Sequence, residues 1–137
     1  MTIIDFSAQF GGRDAAALVL PHFKKLKTAA KGVSLSEFPF PKLVFILRVD
    51  GDVNQYGRTG IGNIDIDSKN KYLSIDIVIT KKDRENIHTK IVSGLNESIG
   101  LIEDAYKQNR IGDINKNSLK SSITSICKKY TSELNSE

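Results

Sequence analysis

Tryptophan is absent from this 137-residue chain, and cysteine and methionine each occur once. With so few aromatics, a core must rest on Ile, Leu and Val. The lone thiol, Cys127, excludes an internal disulfide and any CxxC redox or metal motif. As a nucleophile it would need a histidine beside it, and the chain has only two, His22 and His88. Neither histidine has a partner at ligand spacing, so both read as surface or satisfied side chains, and Cys127 reads as a small buried hydrophobe. Proline is scarce too, with three residues. No apolar run reaches the length of a membrane-spanning helix, and no basic segment followed by an apolar stretch opens the chain. The expectation is a cytoplasmic protein with no membrane association.

What is present is globular. The chain is 39% hydrophobic and 26% charged, too apolar for intrinsic disorder. Its length suits a single domain over residues 1–137, one that buries roughly two-thirds of its unfolded surface without disulfides or metal. The net charge of +4 is unevenly spread. Residues 1–42 carry six basic side chains against three acidic, residues 43–80 four against five, and residues 81–137 ten against eight. The acidic middle third points to two surfaces of opposite sign.

Residues 2–6 suit a short edge strand or a segment packed on the fold. After Gly11-Gly12, the apolar positions Ala16, Val19, Leu20, Phe23, Leu26 and Ala30 recur at helical spacing. Pro21 predicts a kink or a helix start there, and Gly32 a stop. Phe38-Pro39-Phe40-Pro41 must be extended and leads into a strand over 43–50. Further strands are predicted over 58–67 and 72–80, the last two joined by a four-residue hairpin loop. Beyond Thr80 the period becomes helical. Ile87, Ile91, Leu95, Ile99, Ile102 and Tyr106 form one stripe, with Asp83 as the N-cap. Gly94 and Gly100 inside this helix argue for close packing against another element. A last helix from Asn117 or Ser118 turns Leu119, Ile123, Ile126, Cys127, Tyr130 and Leu134 inward. The predicted architecture is α+β: a three-stranded antiparallel meander packed on one face by an N-terminal helix and two C-terminal helices.

Alternation along the meander separates two faces. Ile64 and Ile66 oppose Asn63, Asp65 and Asp67; Leu73, Ile75, Ile77 and Ile79 oppose Tyr72, Ser74, Asp76 and Val78. A four-residue loop pairs Asp67 with Tyr72, Asp65 with Ser74 and Asn63 with Asp76, with Arg48 and Asp50 beside them. Aspartate is disfavoured in strands, so three on one face suggest recognition of a basic protein partner. A solvated sheet face is the plain alternative. A metal site on the same carboxylates is the minor one, and no cofactor is implied.

The segment Tyr56-Gly57-Arg58-Thr59-Gly60-Ile61-Gly62 resembles neither a dinucleotide fingerprint nor a phosphate loop and precedes a strand, so a turn with a bulge is expected. Tyr56 and Arg58 still count as interface candidates, because Tyr and Arg recur at hot spots. Lys24, Lys25, Lys27 and Lys31 make one basic helix face. A nucleic-acid-binding regulator is the functional alternative they raise, disfavoured because no arginines or aromatics interleave with them.

The order of elements, with Tyr56-Gly57-Arg58-Thr59-Gly60 leading into Asn63-Ile64-Asp65-Ile66-Asp67, resembles small bacterial immunity proteins of polymorphic and contact-dependent growth inhibition toxin systems. The resemblance covers size, composition, layout and the acidic face, and carries no diagnostic motif. It implies a non-catalytic cytoplasmic inhibitor that binds the C-terminal domain of a cognate toxin, a nuclease in many such systems, and blocks its active site or substrate groove.

Overall fold

The computed structural model describes residues 2–10, 13–49, 61–67, 69, 72–109, 112 and 114–135. Five strands form one mixed sheet: β1 (Thr2–Phe10), β2 (Ser34–Leu35), β3 (Lys42–Val49), β4 (Ile61–Asp67) and β5 (Tyr72–Ile79), in the order β2-β1-β3-β5-β4. Three helices accompany it: α1 (Arg13–Ala30), α2 (Ile87–Asn109) and α3 (Lys116–Asn135). The α+β class is as the sequence predicts, but the meander is not. β1, β3 and β5 run parallel, while β2 and β4 pair antiparallel at the edges.

The hairpin of β4 and β5 forms with Asp65 opposite Ser74 and Asp67 opposite Tyr72. β3 does not pair with β4, because β5 lies between them. Burial explains the exchange. In β5, Leu73 and every residue from Ile75 to Ile79 are buried, which suits a strand flanked on both sides. β4, with Gly62, Asn63, Asp65 and Asp67, suits an edge, where charge discourages further pairing. β1 departs from the sequence reading as well. It runs nine residues and lies inside the sheet, paired with β3 from Ile3 to Phe10.

The inner sheet face carries Ile4 and Phe6 of β1, Leu43, Phe45, Leu47 and Val49 of β3, and Leu73, Ile75, Ile77 and Ile79 of β5, all buried in one core with the apolar stripes of the helices. The Phe6 and Phe45 rings stack at 5.4 Å. Removing this much apolar surface from water is the main stabilising term. α1 continues through Pro21. The carbonyl of Ala17 that the proline leaves unbonded sits on the helix's exposed side with Pro21 itself, where water can satisfy it. Gly32 adopts φ +82° just past the end of α1, the left-handed stop that glycine allows.

Asp83 does not cap α2. It closes a 3-10 turn, its Oδ2 accepting the Thr80 N–H at 2.8 Å. The first α2 bond runs from Lys90 N–H to the Asn86 carbonyl at 2.8 Å, so Asn86 is the residue that opens the helix. α3 begins at Lys116, with Asn115 Oδ1 accepting the Ser118 N–H at 3.0 Å, an N-cap on the third helical residue. Gly94 meets its expected role, since a Cβ there would stand 2.9 Å from Ile77 Cγ2 on β5. Gly100 does not: it is exposed, and nothing lies within 4 Å of such a Cβ.

Candidate functional site on the open sheet face

In a sheet whose registers align residue for residue, residues that are partners point to the same side. The side away from the core is therefore a grid. One row runs Ile3, Lys42, Tyr72, Asp67; the next runs Asp5, Val44, Ser74, Asp65. Ser7, Ile46 and Asp76 make a third row, and Gln9, Arg48 and Val78 a fourth. Four strands at about 4.8 Å spacing make a face roughly 14 Å across. Ile3 is 63% exposed, Asp65, Lys42 and Gln9 are exposed, and Val44, Ile46, Tyr72, Ser74 and Asp67 are half-buried.

The candidate residues divide by their surroundings. Asp65 lies open at the β4 edge. Asp67 Oδ1 accepts the Lys69 N–H at 3.0 Å, and the neighbouring Tyr72 hydroxyl donates to its carboxylate. The Asp67 charge, then partial burial, this hydrogen bond and Asp65 together push the Tyr72 phenol up from its ordinary value. Tyr72 thus stays a neutral donor on this face.

Asp76 corrects the sequence reading. It is 4% exposed, and its Oδ2 accepts from Arg48 Nε at 2.9 Å and Nη2 at 2.8 Å. Its charge is answered inside the face and is not presented to a partner. Asn63 does not stand opposite Asp76 alone. Ile61 pairs with Ile77 and Ile64 with Ile75, so Gly62 and Asn63 together oppose Asp76 in a bulge of the kind expected for this glycine-rich stretch. The Asn63 side chain, Asp50, and both Tyr56 and Arg58 lie outside the described residues.

Asp5 was missed, because β1 was read as a short segment separate from the acidic face. It shares a row with Asp65, sits 3.9 Å from Lys42 Nζ, and accepts the Phe6 N–H at 2.8 Å through Oδ1. The signal was available in the alternation of Ile3, Asp5, Ser7 and Gln9 against Thr2, Ile4, Phe6 and Ala8. The face thus carries acids toward β4, half-buried aliphatics in the centre and a loose Asp5–Lys42 pair toward β1.

The basic helix face is partly committed elsewhere. Lys25 Nζ donates to the Glu133 carbonyl at 2.7 Å, and Lys27 lies 5.6 Å above the Phe23 ring. Cys127 is half-buried, and burial pushes its thiol up from the ordinary value, away from thiolate chemistry. Among the described residues no group of three or more His, Cys, Asp or Glu could hold a metal ion, and no helix is long and apolar enough to cross a membrane.

No known family, curated protein or solved structure matches this chain.

Proposed function

We propose that this chain is an immunity protein that neutralises a cognate toxin domain by docking its open sheet face over that domain's active site or substrate groove. The observation that carries the reading is the segregation of the helices. The inner-face core packs with the apolar stripes of α1, α2 and α3, while the opposite face keeps half-buried Val44 and Ile46 in its centre and exposed Asp65 at its β4 edge. Among the described residues, only Asp76 and Val78 of β5 are buried on that side. An apolar centre with a charged rim is the anatomy of a protein-binding patch. Carboxylates at one rim suit a partner whose surface is basic, as a domain that handles phosphate must be. Asp65, Asp67, Tyr72, Val44 and Ile46 are the contact residues of this reading, with Tyr56 and Arg58 as further candidates. Asp76 acts indirectly, by orienting Arg48.

The test is to read the neighbouring genes for a large secreted protein and to co-express this chain with that protein's C-terminal domain. The expected result is a stable complex and protected cells. Asp65→Lys together with Asp67→Lys should weaken the complex and flatten its dependence on salt, since rim charges act through a screened field. Full protection and unchanged affinity in that double variant would remove the face from the reading. Nucleic-acid binding by the α1 lysines is the second reading, and a gel-shift titration without salt-dependent affinity for DNA or RNA excludes it.

A further inference from the structure

The only two histidines of the chain, 66 residues apart on different helices, meet at one tyrosine. His22 of α1 places Nδ1 2.5 Å from the Tyr130 hydroxyl of α3. His88, in the first turn of α2, lays its ring 5.0 Å from the same phenol ring, centroid to centroid. Tyr130 itself is fully buried. All three helices are joined at this point.

We propose that the contact of His22 with Tyr130, packed beside His88, is an acid-sensitive latch of the helical layer, closed while the His22 imidazole is neutral and loosened when it takes up a proton.

The hydrogen bonds supply the reason. Burial, with Cys127 adding to it, pushes the Tyr130 phenol up from its ordinary value, so it keeps its proton. The phenol donates to His22 Nδ1 when the neutral ring carries hydrogen on Nε2, and accepts from it in the other tautomer. An imidazolium has N–H at both nitrogens, so protonation of His22 leaves the buried Tyr130 hydroxyl only the role of acceptor at this contact. His88 Nδ1 is buried and meets no hydrogen-bond partner among the described residues.

Charge works the same way. The groups facing His22 are Tyr130 and, near it, Cys127 on α3, His88 on α2 and Lys25 on α1. Burial first, then His88 and Lys25, hold His22 below its ordinary value of 6.5. Both charged influences are positive, and neither favours the imidazolium. The unfolded chain therefore binds more protons than the folded one just below pH 6.5. Stability is fully present above that pH and is lost as the pH falls from 6.5 through the lowered folded value.

The latch predicts that the melting temperature falls by at least about 4 °C between pH 7.5 and pH 5.0. In the double variant His22→Gln/His88→Phe, which keeps an acceptor for Tyr130 and a ring beside it, most of that fall should vanish. Proton NMR titration of the His22 imidazole in the unaltered protein should give a midpoint below that of free histidine. Amide exchange in α3, corrected for its intrinsic pH dependence, should quicken at pH 5.0 more than exchange in β3 and β5. An equal acid-induced fall in the double variant would overturn the proposal. If that variant does not fold, a His22 midpoint at or above that of free histidine overturns it on its own.

Discussion

Arg48 on β3 reaches diagonally to Asp76 on β5, two residues off register, and sets Nε and Nη2 at 2.9 and 2.8 Å from the same carboxylate oxygen. The Asp76 side chain is 6% exposed and that of Arg48 29%, so the pair is dry at the acid and wetter at the base. Removing one partner of a buried pair leaves the other charge uncompensated, at about 3–5 kcal/mol when both are dry. Arg48's exposure lowers the expectation for Asp76→Ala to about 2–3 kcal/mol. Arg48→Met combined with Asp76→Leu should recover most of the loss. Urea unfolding of the single and double variants checks both, and equal losses in the two would show that the cost is not electrostatic.

The two glycines of α2 should respond with opposite sign. Gly100→Ala has open space around it and gains the helix propensity of alanine, so it should stabilise by about 0.5–1 kcal/mol. Gly94→Ala gains the same but drives a methyl to 2.9 Å from Cγ2 of Ile77, a fully buried, stiff side chain. Overpacking of this kind costs about 1–3 kcal/mol, so the net change should be destabilising. Thermal melts of the two variants side by side decide it.

Asn115→Ala should cost about 1 kcal/mol, because the Ser118 N–H loses the side-chain oxygen that satisfies it. Asn115→Asp should be close to neutral, since aspartate accepts the same bond and its charge favours a helix N-terminus. A matching loss in both would mean that Asn115 contributes through its contact with Glu37, where its Nδ2 donates to Oε2 at 3.2 Å, and not through the cap.

Tyr106 is 1% exposed, and its hydroxyl is buried without a hydrogen-bond partner among the described residues. Burial alone pushes its phenol well above the ordinary value. Phe38 meets its ring edge-on at 5.4 Å and Phe40 at 5.9 Å, contacts that Tyr106→Phe retains. That variant should be more stable by about 1 kcal/mol, the desolvation cost of an unpaired hydroxyl. A loss of stability would show that the hydroxyl is satisfied in solution. Phe45→Ala provides the scale for a true core deletion, at about 3–5 kcal/mol.

The sorting of inward and outward residues was legible along most of the chain, with Leu20, placed in the α1 stripe but 40% exposed, and Val78, placed on the outer face but 1% exposed, as departures. Leu43, Phe45, Leu47, Leu73, Ile75, Ile77 and the α2 stripe from Ile87 to Tyr106 are all buried as their spacing predicts. Asp65 and Asp67 also lie on the face the alternation assigned them. The state of Asp76 was not legible, because whether a carboxylate is open or paired depends on which cation a neighbouring strand brings to it. Nor was the meeting of His22 and His88, since helical periodicity places each on its own helix but says nothing about what a third helix offers to both.

What the sequence determined by itself is the three helices and the strands β3, β4 and β5, with the inner side of most of them, because a period of two or of 3.6 is a local property of the backbone; the two-residue β2 is too short to show one. It also determined the hairpin register of β4 and β5 from Ile64 to Asp67, which a short loop imposes. The order β2-β1-β3-β5-β4 was decided only in the tertiary structure. Alternation says which way a side chain points and not which strand stands beside it, and the competition for the buried middle of the sheet is settled between segments far apart in the chain. β5, apolar on both sides toward its end, takes the interior. β4, with its aspartates and glycine, is left the edge.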